Sequence, residues 1–247
     1  MILRKRGLIL AGIVAALVTV VVLFPARVAY KFASPPLVAM SGLSGTIWNG
    51  TAREFSTHGI YLRNLEWHLR PLSLFSGLAA FTVSGEPANG FFDSEVAVNF
   101  SGSTVTLRNL SAALPLAMFA NAVGVPGLRG SVSLQVERLE LVEGRAVALD
   151  GSMDIGNVVV PLLGRGPLGG YRADFFTQND RIVASVEDTD GVVDLAGSLQ
   201  LNPDKTYSFR GLVMAKPNTP DNLRQRIEYL PKTGRPGQHE LRLDGSY

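Results

Sequence analysis

The sequence predicts a mainly β protein: one N-terminal transmembrane helix followed by a curved, mostly antiparallel β-sheet domain with two short helices. Three observations carry that prediction. Residues 7–24, GLILAGIVAALVTVVVLF, hold no charge. The chain contains 26 glycines and 14 prolines with 46% hydrophobic residues, which suits a β-rich domain with many turns better than a helical bundle. Several later segments alternate apolar and polar residues, the period of a half-buried strand.

As a helix, residues 7–24 rise about 27 Å, close to the ~30 Å hydrocarbon core of a bilayer. The one hydroxyl in the run, Thr19, can bond back to the helix backbone. Arg4, Lys5 and Arg6 precede the run, while Arg27 and Lys31 follow it, so the positive-inside rule favours a cytoplasmic N-terminus by a narrow margin. The rival reading is a cleaved signal peptide, whose apolar region runs ~7–15 residues and ends in a small-x-small site. Here the run is longer, and Pro25-Ala26-Arg27-Val28-Ala29 offers no clean cleavage signal. The expected organisation is a cytoplasmic tail (1–6), a transmembrane helix (7–26), a membrane-proximal linker (27–41) and a β-rich domain (42–247) outside the cytoplasm. In a Gram-negative bacterium that places the domain in the periplasm and the span in the inner membrane.

Charge and cysteine content narrow the functional classes. The chain carries a formal charge of +2, but the three basic residues at 4–6 supply the excess. Residues 7–247 hold 20 basic against 21 acidic residues, a charge of −1, and show no nucleic-acid footprint. There is no cysteine, which excludes disulfides and thiolate chemistry.

In chain order, Pro35-Pro36 prevents a long helix after the span, and residues 42–52 read as a short strand pattern bracketed by glycines. Residues 60–69 alternate after Tyr61 as a strand does, and 71–77 read as one helical turn closed by Gly77. Further strands are expected at 78–84, 94–100 and 104–107. Residues 111–123 read as a helix, with Ser111 as cap, Pro115 in its first turn and Gly124 past its end. A second helix opens at Thr219-Pro220-Asp221, presents Leu223, Ile227 and Leu230 on one face, and stops at Pro231. A phrase of apolar residue, any residue, glycine, hydroxyl, apolar or aromatic residue recurs around Gly45, Gly130, Gly151, Gly197 and Gly245, with Ser or Thr following each glycine. Glycine inside a strand permits a bulge, curvature or close backbone approach, so the repeated phrase predicts successive strands of one curled sheet. Its irregular spacing is not that of a solenoid.

The candidate chemistry is thin. His58, His68 and His239 have no metal-ligand spacing. Gly164-Arg165-Gly166-Pro167-Leu168-Gly169 matches the dinucleotide fingerprint, but Pro167 removes an amide that a phosphate would need, and 171–175 downstream read as strand. Glu187-Asp188-Thr189-Asp190-Gly191, with Asp194, lacks the closing glutamate of a calcium loop and reads as a hairpin turn. Ser44 misses the nucleophile-elbow spacing. Trp48 and Trp67 read as core aromatics. No catalytic, cofactor or metal site is expected, and the protein reads as a non-enzyme.

With those features in view, the sequence resembles the type II secretion system protein N family. That family shows a short basic tail, one span, a glycine-flanked Gly-Thr-Leu/Ile-Trp-x-Gly motif, and a Trp-x-Leu-x-Pro segment running to glycine. The first motif maps onto Gly45, Thr46, Ile47, Trp48 and Gly50, the second onto Trp67, Leu69, Pro71 and Gly77. Later segments around Tyr171, Gly191 to Leu201, Tyr207 to Gly211 and the last helix also fit, and Met153 stands where the family pattern suggests a tryptophan. The resemblance implies an inner-membrane-anchored periplasmic scaffold subunit that aids export of folded proteins, with other secretion subunits and the lipid bilayer as partners. The same strand grammar resembles the AsmA-like group of membrane-tethered proteins, which implies lipid handling as the alternative. An apolar inner face open to solvent would favour lipid, and a closed apolar core the scaffold.

Overall fold

The structure, a computed structural model, describes residues 12–13, 15–33, 38–57, 60–87, 89–120, 125–163, 166–179 and 181–246. These residues form one sheet of 14 strands: β1 (Val38–Ser41), β2 (Ser44–Gly45), β3 (Asn49–Thr57), β4 (Ile60–Leu69), β5 (Leu78–Pro87), β6 (Phe91–Asn99) and β7 (Thr104–Pro115), then β8 (Arg129–Val142), β9 (Arg145–Val159), β10 (Tyr171–Gln178), β11 (Arg181–Asp188), β12 (Val193–Leu201), β13 (Thr206–Ala215) and β14 (Gln238–Ser246). From β3 to β14 each strand pairs antiparallel with its neighbour in sequence, and β1 and β2 both pair with β3. The sheet is therefore an open meander with β1 and β14 at its edges.

Register makes the sheet two-faced, because residues paired across strands share a face. One row runs Ser44–Thr51–Glu66–Ser84–Asp93–Ser111–Gln135–Ser152–Asp174–Ser185–Ser198–Arg210–Arg242, from β2 to β14, and every member is polar. One residue away on the opposite face, Gly85–Phe92–Ala112–Leu134–Met153–Ala173–Val186–Gly197–Gly211–Leu241 crosses ten strands without a polar side chain. A second apolar row, Leu69–Phe81–Val96–Leu107–Leu139–Leu149, runs beside it from β4 to β9. The alternation read in the sequence at 60–69 and 94–100 is thus a local view of a pattern spanning the whole sheet.

The sheet also curls. A 3-10 turn, Leu116–Phe119, follows β7 yet lies within 8 Å of β4, Cα to Cα. On a flat sheet the three strand spacings between β4 and β7 would separate them by about 14 Å. Bulges supply the bending: the register shifts at Arg63/Glu66 between β4 and β5 and at Asp93/Glu95 between β6 and β7, beside Asn64 and Asn109, both at positive φ. Asparagine tolerates that backbone region better than other non-glycine residues.

Short helices close the apolar face at both ends. The helix Ala26–Ala33 places Ala26 and Tyr30 on Leu43, Ala52, Leu62, Leu65 and Trp67. At the other end the helix Asp221–Glu228 lays Leu223 and Ile227 on Val193, Val213 and Leu241, with Leu230 beside them. The stripe of Leu223, Ile227 and Leu230 expected from the sequence is the one that packs. Thr219 does not cap this helix: its hydroxyl accepts the Lys216 amide and donates to the Val192 carbonyl, and Pro220 occupies the cap position. Between the helices a third cluster, Leu110, Ala112 and Val136 with Phe92, Leu134 and Leu139, lies on the same apolar face.

Two sequence expectations are corrected. Residues 111–115 form the end of β7, not a helix, and only the 3-10 turn Leu116–Phe119 follows; residues 121–124 lie outside the description. The strand wins because Leu110, Ala112 and Leu114 alternate onto the apolar face while β6 and β8 satisfy the backbone on both sides. Residues 27–41, read as a linker, carry the helix Ala26–Ala33 and β1, which belong to the folded body. Within the apolar run, residues 12–13 and 15–22 are helical; among the described residues no helix is long and apolar enough to cross a membrane.

Candidate functional site

The two motif segments of the sequence fold into one unit at the end of the sheet where the apolar helix meets it. Thr46 builds the turn between β2 and β3: its hydroxyl accepts the amides of Trp48 (3.3 Å) and Asn49 (3.1 Å). Gly45 sits at φ 80°, and a Cβ there would meet the Asn49 carbonyl oxygen at 2.4 Å, so only glycine fits. Trp67, on β4, lies over Gly50 and donates its indole N–H to the Ile47 carbonyl at 3.2 Å. Leu69 closes the unit, its amide donating to the Trp48 carbonyl at 2.7 Å. Pro71 opens the 3-10 turn Pro71–Ser76, and Gly77 ends it at φ 77°, ψ 18°. Gly45, Thr46, Ile47, Trp48, Gly50, Trp67 and Leu69 are therefore neighbours, while Pro71 and Gly77 bound the turn that follows Leu69. Arg4, Lys5 and Arg6 lie outside the described residues.

Trp48 reaches the apolar helix. Its indole N–H donates to the Val21 carbonyl at 2.8 Å, Ile47 donates its amide to Phe24 at 3.1 Å, and Pro25 bridges to Thr46. These bonds join the end of the apolar helix to the turn between β2 and β3. Trp48 stays half-buried and belongs to no core cluster, whereas Trp67 packs with the first one. Nothing in the sequence marked the Trp48–Val21 bond, which depends on where the helix stops.

Two cavities border these features, and another lies further along the sheet. One of about 260 Å³ lies under the helix Ala26–Ala33, between Tyr30, Met40, Leu43, Ile47 and Trp67. A larger one, about 670 Å³, lies behind the Pro71–Ser76 turn between Leu72, Leu78, Arg70, Glu95 and Arg108, where Arg70 and Glu95 form an ion pair. A third, about 540 Å³, sits on the polar face beside Ser111, Gln135, Ser152 and Arg172. Arg172 pairs with Asp174 at 3.0 Å and Asp154 at 3.4 Å, and those carboxylates hold its guanidinium pKa above the ordinary value.

The other sequence candidates have structural places. Asp188 ends β11, and the turn to β12 follows it, as the hairpin reading expects. Its side chain, 9% exposed, pairs with Lys216 and accepts the Leu195 amide at 2.8 Å. Burial raises its pKa, but the Lys216 hydrogen bond and the Leu195 amide outweigh it, and the net shift is downward. Burial, then Asp188 and Asp190, pushes the Tyr171 hydroxyl up. Residues 166–170 open no helix; they pack on the 189–192 turn through Thr189 to Gly170 and Val192 to Leu168 bonds and lead into β10. His239 is buried against the Leu230 carbonyl, and His58 lies outside the described residues. Among the described residues no group of three His, Asp or Glu side chains could hold a metal ion.

The fold and this unit define a class: an amphipathic, open β-sheet protein whose described surface offers grooves and an apolar face. The sequence profile of the type II secretion system (T2SS) protein N family matches residues 36–242, and the chain belongs to that family. It is 25% identical to type II secretion system protein N of Aeromonas hydrophila over 217 residues, 85% of each chain. To the protein of that name from Vibrio cholerae serotype O1 it is 23% identical over 234 residues, 92% of each. No solved structure gives a significant match.

Proposed function

We propose that the protein is an accessory, scaffold-type subunit of the type II secretion machine, anchored in the inner membrane through residues 7–26 with its sheet in the periplasm. Family membership over residues 36–242 carries this reading. The apolar helix supports the anchor: Leu17, Val18, Val20, Val21 and Val22 are each more than half exposed. An apolar helix whose described side chains stand exposed, joined to the sheet only at its end through Trp48 and Ile47, fits a lipid environment. The sheet then works by binding neighbouring subunits of the machine, with no catalytic step of its own. A tether concentrates the domain near membrane partners, so weak individual contacts suffice. Cross-linking in intact cells tests this: capture of other secretion subunits is expected, and their absence from a functional strain's cross-links contradicts it.

One observation favours a second reading. The middle of the apolar face holds a small buried cluster, Leu110, Ala112 and Val136, but around it Phe81, Val96, Leu107, Leu139, Leu149, Met153 and Val186 are only half-buried among the described residues. Such a face fits acyl chains, in keeping with the AsmA-like alternative, and co-purification of phospholipid with the full chain tests it.

A further inference from the structure

The end of the sheet that receives the apolar helix carries exposed apolar side chains on the two turns nearest that helix. In the Pro71–Ser76 turn, Leu72 is 79% and Phe75 91% exposed. On the neighbouring β6–β7 turn, Phe100 is 68% exposed, and the Leu78–Asn99 pairing sets it beside the start of β5. A short chain of bonds ties the first turn to the helix: Leu69 donates to the Trp48 carbonyl, and Trp48 donates to Val21. The turns further along the same end have a different character. They carry Glu143-Gly144, Asn179 and Asn202-Pro203-Asp204-Lys205, all polar or charged apart from the glycine and proline. Apolar exposure at this end is therefore graded, and it is greatest beside the apolar helix.

We propose that the Pro71–Ser76 turn and Phe100 form a second membrane contact, inserting into the interfacial layer of the bilayer that holds the helix. This rests on the anchor reading above. Exposed aromatic and leucine side chains gain by entering the headgroup–acyl boundary, as interfacial segments do. Gly77 gives the turn its shape: its positive φ reverses the chain into β5, leaving Leu72 and Phe75 beyond the strand ends. The two attachments, helix and turn, fix the sheet's tilt against the membrane, so that the apolar face opens at a set height above the bilayer.

The chain has no cysteine, so single-cysteine variants carry one label each. Full-length Phe75→Cys, Leu72→Cys, Val20→Cys and Tyr229→Cys, labelled with an environment-sensitive fluorophore, are reconstituted into vesicles of phosphatidylethanolamine and phosphatidylglycerol. Tyr229 is 90% exposed and lies past the helix Asp221–Glu228, at the opposite end of the sheet. The expected result is a blue-shifted emission at positions 72 and 75, quenched by doxyl-labelled phospholipid and protected from aqueous iodide, with position 229 showing the reverse. Positions 72 and 75 as open to iodide as 229, while position 20 is lipid-quenched, overturn this proposal and leave the anchor intact. Position 20 open to iodide overturns the anchor itself. Protection at 72 and 75 without lipid quenching marks a contact with a second copy and also overturns the proposal.

Discussion

The indole of Trp67 lies over Gly50, its N–H bonded to the Ile47 carbonyl at 3.2 Å, so close that a Cβ on residue 50 would sit 2.4 Å from its Cζ2. The oxygens of Ser44 and Thr46 close the same space at 2.7 and 2.9 Å. One glycine thereby lets a tryptophan of β4 cover the turn that connects the sheet to the apolar helix.

Gly50→Ala should therefore destabilise the domain by about 1–3 kcal/mol, the usual cost of overpacking. Trp67→Leu in the same chain should relieve part of that cost, because it removes the nearest atom but not the two carbonyl oxygens. Urea unfolding of the single and double variants measures the coupling; strictly additive losses would contradict the packing.

Asp188 makes a pH prediction. Its folded pKa lies below the ordinary value, so its contribution is fully present above the unfolded pKa of about 3.9 and is lost as pH falls through the lower folded value. Asp188→Asn should cost about 1.5–3 kcal/mol at pH 7, the usual range for a hydrogen bond to a charged group. The difference from the parent should shrink below about pH 4. A difference constant from pH 7 to pH 3 would rule out the Lys216 pairing as its source.

Much of this fold was legible in the sequence. The strand at 60–69, the turn closed by Gly77 and the stripe of Leu223, Ile227 and Leu230 all follow from local chemistry. The stretch 111–115 was not: a serine followed by alanines and leucines satisfies helix rules, and only pairing with β6 and β8 decides for a strand. The recurrent glycine phrase was legible as sheet curvature, but its causes differ by position. Gly130 and Gly151 sit at or beside register shifts at φ 139° and 152°. Gly197 and Gly211 pair across β12 and β13 because the Phe209 ring covers both, at 2.6 and 2.8 Å from their would-be Cβ atoms. At the candidate site, the two motifs could be read separately, but their union around Trp67 and the reach of Trp48 to Val21 depend on tertiary pairing.

The anchor reading predicts topology. Alkaline phosphatase, active only outside the cytoplasm, should be active when fused after Tyr247. An inactive fusion made at normal levels would contradict a periplasmic sheet.

The acyl-chain reading predicts that phospholipid co-purifies with the full chain and that a charge in the middle of the apolar face expels it. Leu139→Glu, on a half-buried position of that face, should lose the lipid while circular dichroism stays that of a β-rich protein. Lipid retained at the parent level would remove the apolar face as its site.

The central claim is a role in protein export, and it is tested most directly by where the exported proteins go in a strain lacking this gene. Fractionation should find them trapped in the periplasm, with the outer-membrane barrier still intact to detergent, and export should return with the intact gene. A strain that exports normally yet leaks periplasmic contents would contradict the secretion role and leave lipid handling as the function of the sheet.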